Sequence, residues 1–194
     1  MRFFRLSDSK RLRLVLVYPG TGYGTRDYVA GRIENLELPK APVLLAVADS
    51  YATPYTTALA RAEEYATTEG LTLSPSVLVA WSGGVKGAQS AVEAGHTFSR
   101  VELADPSPNR EAWSGRDTRI VYNPDNWTGY LAPLGVQQAK DAELYGRKAV
   151  RSELGHNEIL DRAITDAVKG TGVFSPVVLV TAAGLGWWLW KRNP

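Results

Sequence analysis

The sequence predicts an α/β fold: a mostly parallel sheet of about six strands with helices on both faces, followed by an apolar C-terminal helix. Three observations lead there. Short runs rich in Val, Leu and Ile alternate with segments of helical spacing along most of the chain. The runs are apolar at successive positions, which suits strands covered on both faces and joined by crossover helices. The residues just after each run are small, polar or ionisable, as expected where a parallel sheet presents the loops that bind ligands.

In chain order, the expected strands are RLVLVYP ending at Pro19, PVLLAVAD from Pro42 to Asp49 and SVLVAW from Ser76 to Trp81. RVELAD from Arg100 to Asp105, TRIVYN from Thr118 to Asn123 and KAVRSEL from Lys148 to Leu154 complete the set. Helical patterns fill the gaps: RDYVAGRIENL, YTTALARAEEYATTEG, GVKGAQSAVEAG, a segment around GVQQAKDAELYG, and NEILDRAITDAVKG. No internal repeat or low-complexity stretch interrupts them. The one plausible boundary is GTGVFSP, which separates a domain over residues 1–170 from a linker and apolar segment over residues 171–194.

With 194 residues and 44% hydrophobic content, the chain supports one well-packed core. Its 22 basic and 20 acidic residues leave a net charge of +2, so no nucleic-acid partner is expected. The opening MRFFRLSDSKRLRL sets Arg2, Arg5, Lys10, Arg11 and Arg13 against Asp8, read as a solvated end flanking the first strand, with contact to anionic lipid or another acidic surface as the alternative, and it does not resemble a secretory signal. There is no cysteine, which removes disulfides and thiolate chemistry. With only two, widely separated histidines, neither a metal nor another cofactor is expected.

From Gly170 to Trp190 no residue is charged, and Lys191 and Arg192 close the run. Ser175 and Pro176 suit an N-cap and first helical position, giving a helix of about 16 residues, roughly 24 Å long. Val173, Phe174 and the terminal basic residues extend its reach toward a ~30 Å bilayer core. Trp187, Trp188 and Trp190 suit an interfacial belt. Residues 173–192 are therefore expected to form a single-pass C-terminal membrane anchor with the lipid bilayer as partner. A buried helix or a partner-binding tail is the alternative, and the side of the membrane stays open.

The loops after the strands carry the chemistry. Ser82 stands between Val77, Leu78 and Val79 and a helix starting near Gly84, so a sharp strand-to-helix turn would lift its hydroxyl clear of the sheet. A helix-capping serine is the simpler alternative. A nucleophilic serine needs a base. His156 follows the last strand and shares the edge of Ser82, whereas His96 precedes a strand and belongs at the opposite edge. Asp125 follows the intervening strand and would orient the imidazole. Asp105, in LADPSP, leaves a strand at the same edge and is the alternative acid. An Asx-turn in NPDN would account for Asp125 without chemistry. GTGYGT suggests a dinucleotide-binding turn, but its third glycine position is Thr25.

The order Ser82, Asp125, His156, each after its own parallel strand, resembles the α/β-hydrolase fold family over roughly Arg11 to Gly170, in the manner of a small cutinase-like esterase. AWSGG is similar to the family's nucleophile elbow, with Ala80 in place of the usual first glycine. ELGHNEI is similar to its histidine segment and YPGTG to its oxyanion loop. The resemblance implies a Ser-His-Asp triad of Ser82, His156 and Asp125, the position after the strand before the histidine being the family's commoner one for the acid. It also implies an oxyanion hole from the backbone N–H of Gly83 and of Thr21 or Gly22, and a sheet lacking the family's first strand or two. The expected function is a membrane-anchored serine hydrolase acting on an ester or similar acyl substrate without a cofactor. The alternative is a noncatalytic interaction or structural protein that keeps the fold.

Overall fold

A computed structural model of the chain describes residues 1–22, 24–96, 98–108, 118–145 and 149–170. The strands are β1 (Arg2–Arg5), β2 (Arg11–Tyr18), β3 (Val43–Val47), β4 (Thr72–Trp81), β5 (Arg100–Ala104), β6 (Thr118–Tyr122) and β7 (Ala149–Arg151). Between them run α1 (Thr25–Glu34), α2 (Tyr55–Thr68), α3 (Val85–Glu93) and α4 (Ala132–Tyr145), and α5 (His156–Lys169) follows β7. The sheet order is β1-β3-β2-β4-β5-β6-β7, with every neighbouring pair parallel except β1 and β3. All six expected strands form. The seventh, β1, comes from the RFFR read as a solvated end: Phe3 turns to one face and stacks on Tyr65 at 4.3 Å, while Phe4 packs against the other.

Strand alternation sorts the core into two layers. Along β2, Leu12, Leu14, Leu16 and Tyr18 face α2 and α3, and Val15 and Val17 face α1 and α5. α2 presents Ala58, Ala62 and Ala66, a small-residue stripe that lets it lie close to the sheet, whereas α5 presents Ile159, Leu160, Ala163, Ile164, Ala167 and Val168. Each fully buried Leu or Ile contributes about 1.5–3 kcal/mol.

Three arginines fix α5, and so fix His156 at its first turn. Arg13 of β2 donates from Nη2 to the carbonyls of Ala167 and Val168, both at 2.8 Å, satisfying acceptors that a helix C-terminus leaves open. Arg32 of α1 pairs in a bidentate manner with Asp161, which raises the arginine's pKa. Arg119 of β6 reaches Asp166 at 3.2 Å and also faces Glu102; burial lowers its pKa against the pull of both carboxylates. α5 ends at Gly170, whose φ of 69° is left-handed, at the sheet edge opposite the one where it begins.

The segment expected to anchor the chain, residues 173–192, lies outside the described residues. No described helix is long and apolar enough to cross a membrane.

Candidate active site

Ser82 follows Trp81 at the end of β4 and opens a single 3₁₀ turn, Ser82–Gly84, that leads into α3. Its φ is 53°. Among the described residues only one other non-glycine residue has a positive φ: Asp105, at 42°, just after β5. Such conformations cost about 1–3 kcal/mol each and persist where surrounding structure enforces them. Both strained residues stand at one sheet edge, joined by the Ser107 N–H donating to the Ser82 carbonyl at 3.0 Å.

The elbow is tight because three glycines around it are crowded. A methyl added to Gly84 would lie 2.6 Å from the Tyr18 carbonyl oxygen, and one added to Gly87 would lie 2.1 Å from the Tyr18 ring. A methyl on Gly83 would meet Thr21 Cγ2 at 2.2 Å and the Thr21 backbone nitrogen at 3.2 Å. The loop after β2 thus lies directly against the residue after the serine. Of the two residues expected there, Thr21 borders Gly83, whereas Gly22, with φ of 125°, turns toward Thr25.

The Asp105 carboxylate is fully buried and accepts four hydrogen bonds. Oδ1 takes the Asn123 N–H at 3.0 Å and the Gln138 amide at 2.9 Å; Oδ2 takes the Asn126 amide at 2.8 Å and His156 Nδ1 at 2.6 Å. Each of those donors is itself held. Gln138 also donates to the Pro106 carbonyl at 2.8 Å, and both Asn123 and Asn126 side chains donate to the Leu154 carbonyl. With Nδ1–H directed at a carboxylate, Nε2 carries the lone pair and is the basic nitrogen.

Asp125, the preferred acid of the sequence reading, is not at the imidazole. Its side chain is 78% exposed and pairs with Arg151 at 3.1 Å. The reason is the Asx-turn: Asn123 Oδ1 accepts the Asp125 N–H at 3.1 Å, and the 3₁₀ turn Pro124–Asn126 that this starts sends Asp125 outward and Asn126 inward. The alternative acid, Asp105, takes the place at His156. His96 follows α3, the far end from Ser82, and packs its ring on Tyr55 at 4.5 Å. Ser82 Oγ makes no hydrogen bond to a described residue, so its expected bond to His156 is not made.

Sequence reasoning missed Asn123, Asn126 and Gln138. The paired asparagines of NPDN marked a turn, but nothing local showed that both would reach Asp105, Asn123 through its backbone N–H and Asn126 through its side chain. It also missed two tryptophans against the imidazole: Trp81, with centroids 4.8 Å apart, and Trp127, edge-on at 5.8 Å. Among the described residues, no group of three or more His, Asp or Glu side chains is arranged to hold a metal ion.

No protein-family model matches the chain, and no curated protein matches it. Among solved structures, it is similar to a candidate hydrolase of the alpha/beta superfamily from Xanthomonas campestris pv. campestris, at 16% identity and a TM-score of 0.43, over 84% of this chain and 99% of that one. An uncharacterized protein from Bacillus cereus ATCC 10987 matches at 12% identity and a TM-score of 0.47, over 84% of this chain and 60% of that one. The enterobactin esterase FES from Shigella flexneri matches at 15% identity and a TM-score of 0.49, over 87% of this chain and 55% of that one. Likeness at this level bears on no residue of the site.

Proposed function

We propose that this chain is a small serine hydrolase of the α/β-hydrolase type that cleaves an ester or similar acyl bond, with Ser82 as nucleophile, His156 as base and Asp105 as the orienting acid. The observation that carries this reading is the hydrogen bond from His156 Nδ1 to the buried Asp105, at the sheet edge where Ser82 occupies a strained elbow. Ser82 Oγ attacks the acyl carbon while Nε2 takes its proton, and the resulting imidazolium is held by Asp105. The N–H groups of Gly83 and Thr21 donate to the tetrahedral oxyanion. Collapse breaks the acyl–oxygen bond, and Nε2 returns the proton to the departing alcohol. Water, deprotonated by the same nitrogen, then attacks the acyl carbon; the acyl–Oγ bond breaks, Nε2 returns the proton to Ser82 Oγ, and the acid leaves.

Residues 173–192 hold the domain at a bilayer. α5 is capped by Gly170, on the edge opposite Ser82, and the proposed anchor begins three residues later in the sequence. The unmade Ser82–His156 bond favours the second reading, a noncatalytic binding protein that keeps this fold. Labelling with a fluorophosphonate decides between them: the catalytic reading requires covalent labelling of the wild-type chain and none of Ser82→Ala. An unlabelled wild-type chain that is folded supports the noncatalytic protein.

A further inference from the structure

We infer that Trp81 is a positioning residue for His156: its indole grips the histidine by backbone and ring together, and so couples the nucleophile strand to the base helix. The inference rests on the hydrolase reading above. Trp81 is the last residue of β4, one before Ser82, with extended backbone at φ −105° and ψ 133°. Because side chains alternate along a strand, its ring enters the layer shared with α1 and α5 and is 6% exposed. Its Nε1–H donates to the His156 carbonyl at 3.1 Å, and its ring faces the imidazole at 4.8 Å with 39° between planes. The same indole is backed by Tyr28 of α1, stacked at 5.9 Å. A methyl on Gly20 would lie 3.2 Å from it, so the loop after β2 closes its remaining side.

Two consequences follow for the base. The indole N–H fixes the histidine's own peptide, so the ring hangs from an anchored backbone while Nδ1 stays on Asp105 and Nε2 faces the proton of Ser82. An imidazolium within about 6 Å of an indole face is also stabilised by the ring quadrupole, and that charge exists only after the serine proton has moved. An interaction gained after proton transfer acts on kcat and leaves KM nearly unchanged.

The charged groups around the imidazole leave that role to Trp81. Asp105 from the β5 end binds Nδ1. On α5, Glu158 is taken by the Gly155 N–H at 2.9 Å and Asp161 by Arg32 of α1. Asp125 is taken by Arg151 of β7. Trp127 meets the ring edge-on and has no bond to the histidine backbone among the described residues.

The test uses the full chain, Trp81→Phe, Trp81→Leu and His156→Ala. An imidazolium quenches an indole in contact, so acid titration of wild-type fluorescence should show a quenching step that His156→Ala lacks. In Trp81→Phe that step should lose more than half its amplitude, the rest coming from Trp127. This arm does not depend on turnover, and an undiminished step in Trp81→Phe overturns the inference whatever the activity. With p-nitrophenyl acetate, Trp81→Leu should lower kcat about tenfold at nearly constant KM. Trp81→Phe, which keeps an aromatic face, should recover part of that loss. A loss confined to KM also overturns it. If the wild-type chain hydrolyses nothing, the hydrolase reading fails and the fluorescence titration alone decides the contact.

Discussion

Replacing Asp105 by asparagine separates the two candidate acids and tests the mechanism at its buried end. The carboxylate accepts two N–H groups at each oxygen, so an amide nitrogen must face one pair of donors. Facing Oδ1's partners, it orphans the backbone N–H of Asn123, which is 6% exposed. Facing Oδ2's partners is cheaper, because Asn126 keeps the Leu154 carbonyl at 3.2 Å and the imidazole can shift its proton to Nε2. The remaining cost is one of the two amide hydrogens of the half-buried Asn126 left without its acceptor, at most about 1–3 kcal/mol. At about 2–4 °C per kcal/mol for a domain of this size, that is a melting point lowered by several degrees in a protein that still folds. Turnover suffers far more. An imidazole carrying its proton on Nε2 cannot take one from Ser82, and the expected loss is about 10⁴-fold in kcat. The assay is p-nitrophenyl ester hydrolysis beside a thermal melt, with Asp125→Asn as the control. Asp125 and Arg151 form an exposed pair, so the control should keep wild-type turnover and melting point. If Asp105→Asn stays within about tenfold of wild type while Asp125→Asn loses activity, the assignment of the acid is refuted.

Two other outcomes are expected. Gly83→Ala drives a methyl to within 2.2 Å of Thr21 Cγ2, so it should lower kcat by about 10²-fold through a displaced oxyanion donor. Adding Thr21→Ser, which removes that carbon, should restore part of the loss, and equal activity in the single and double variants would refute the contact. Removing residues 171–194 should leave a cooperatively melting domain, because α5 is already closed by Arg13 and Gly170, while the full chain enters the detergent phase on phase separation. A full chain that stays in the aqueous phase would refute the anchor.

The sequence by itself determined the parallel sheet, because being apolar at successive positions is a local property of VLLAV or SVLVA and survives in any context that buries both faces. It also nominated Ser82 and His156, since a residue just after a parallel strand reaches the ligand edge wherever that strand sits in the order. β1 escaped notice because four residues with arginine at both ends carry too short a pattern; pairing with β3, some forty residues away, makes RFFR a strand. The choice between Asp105 and Asp125 was beyond local reasoning for the same kind of cause. Both follow strands at one edge, and what separates them are donors 18, 21, 33 and 51 residues from Asp105, contributed by β6's turn, α4 and α5. A buried carboxylate is stable only where such donors converge, and only the tertiary structure brings those segments together.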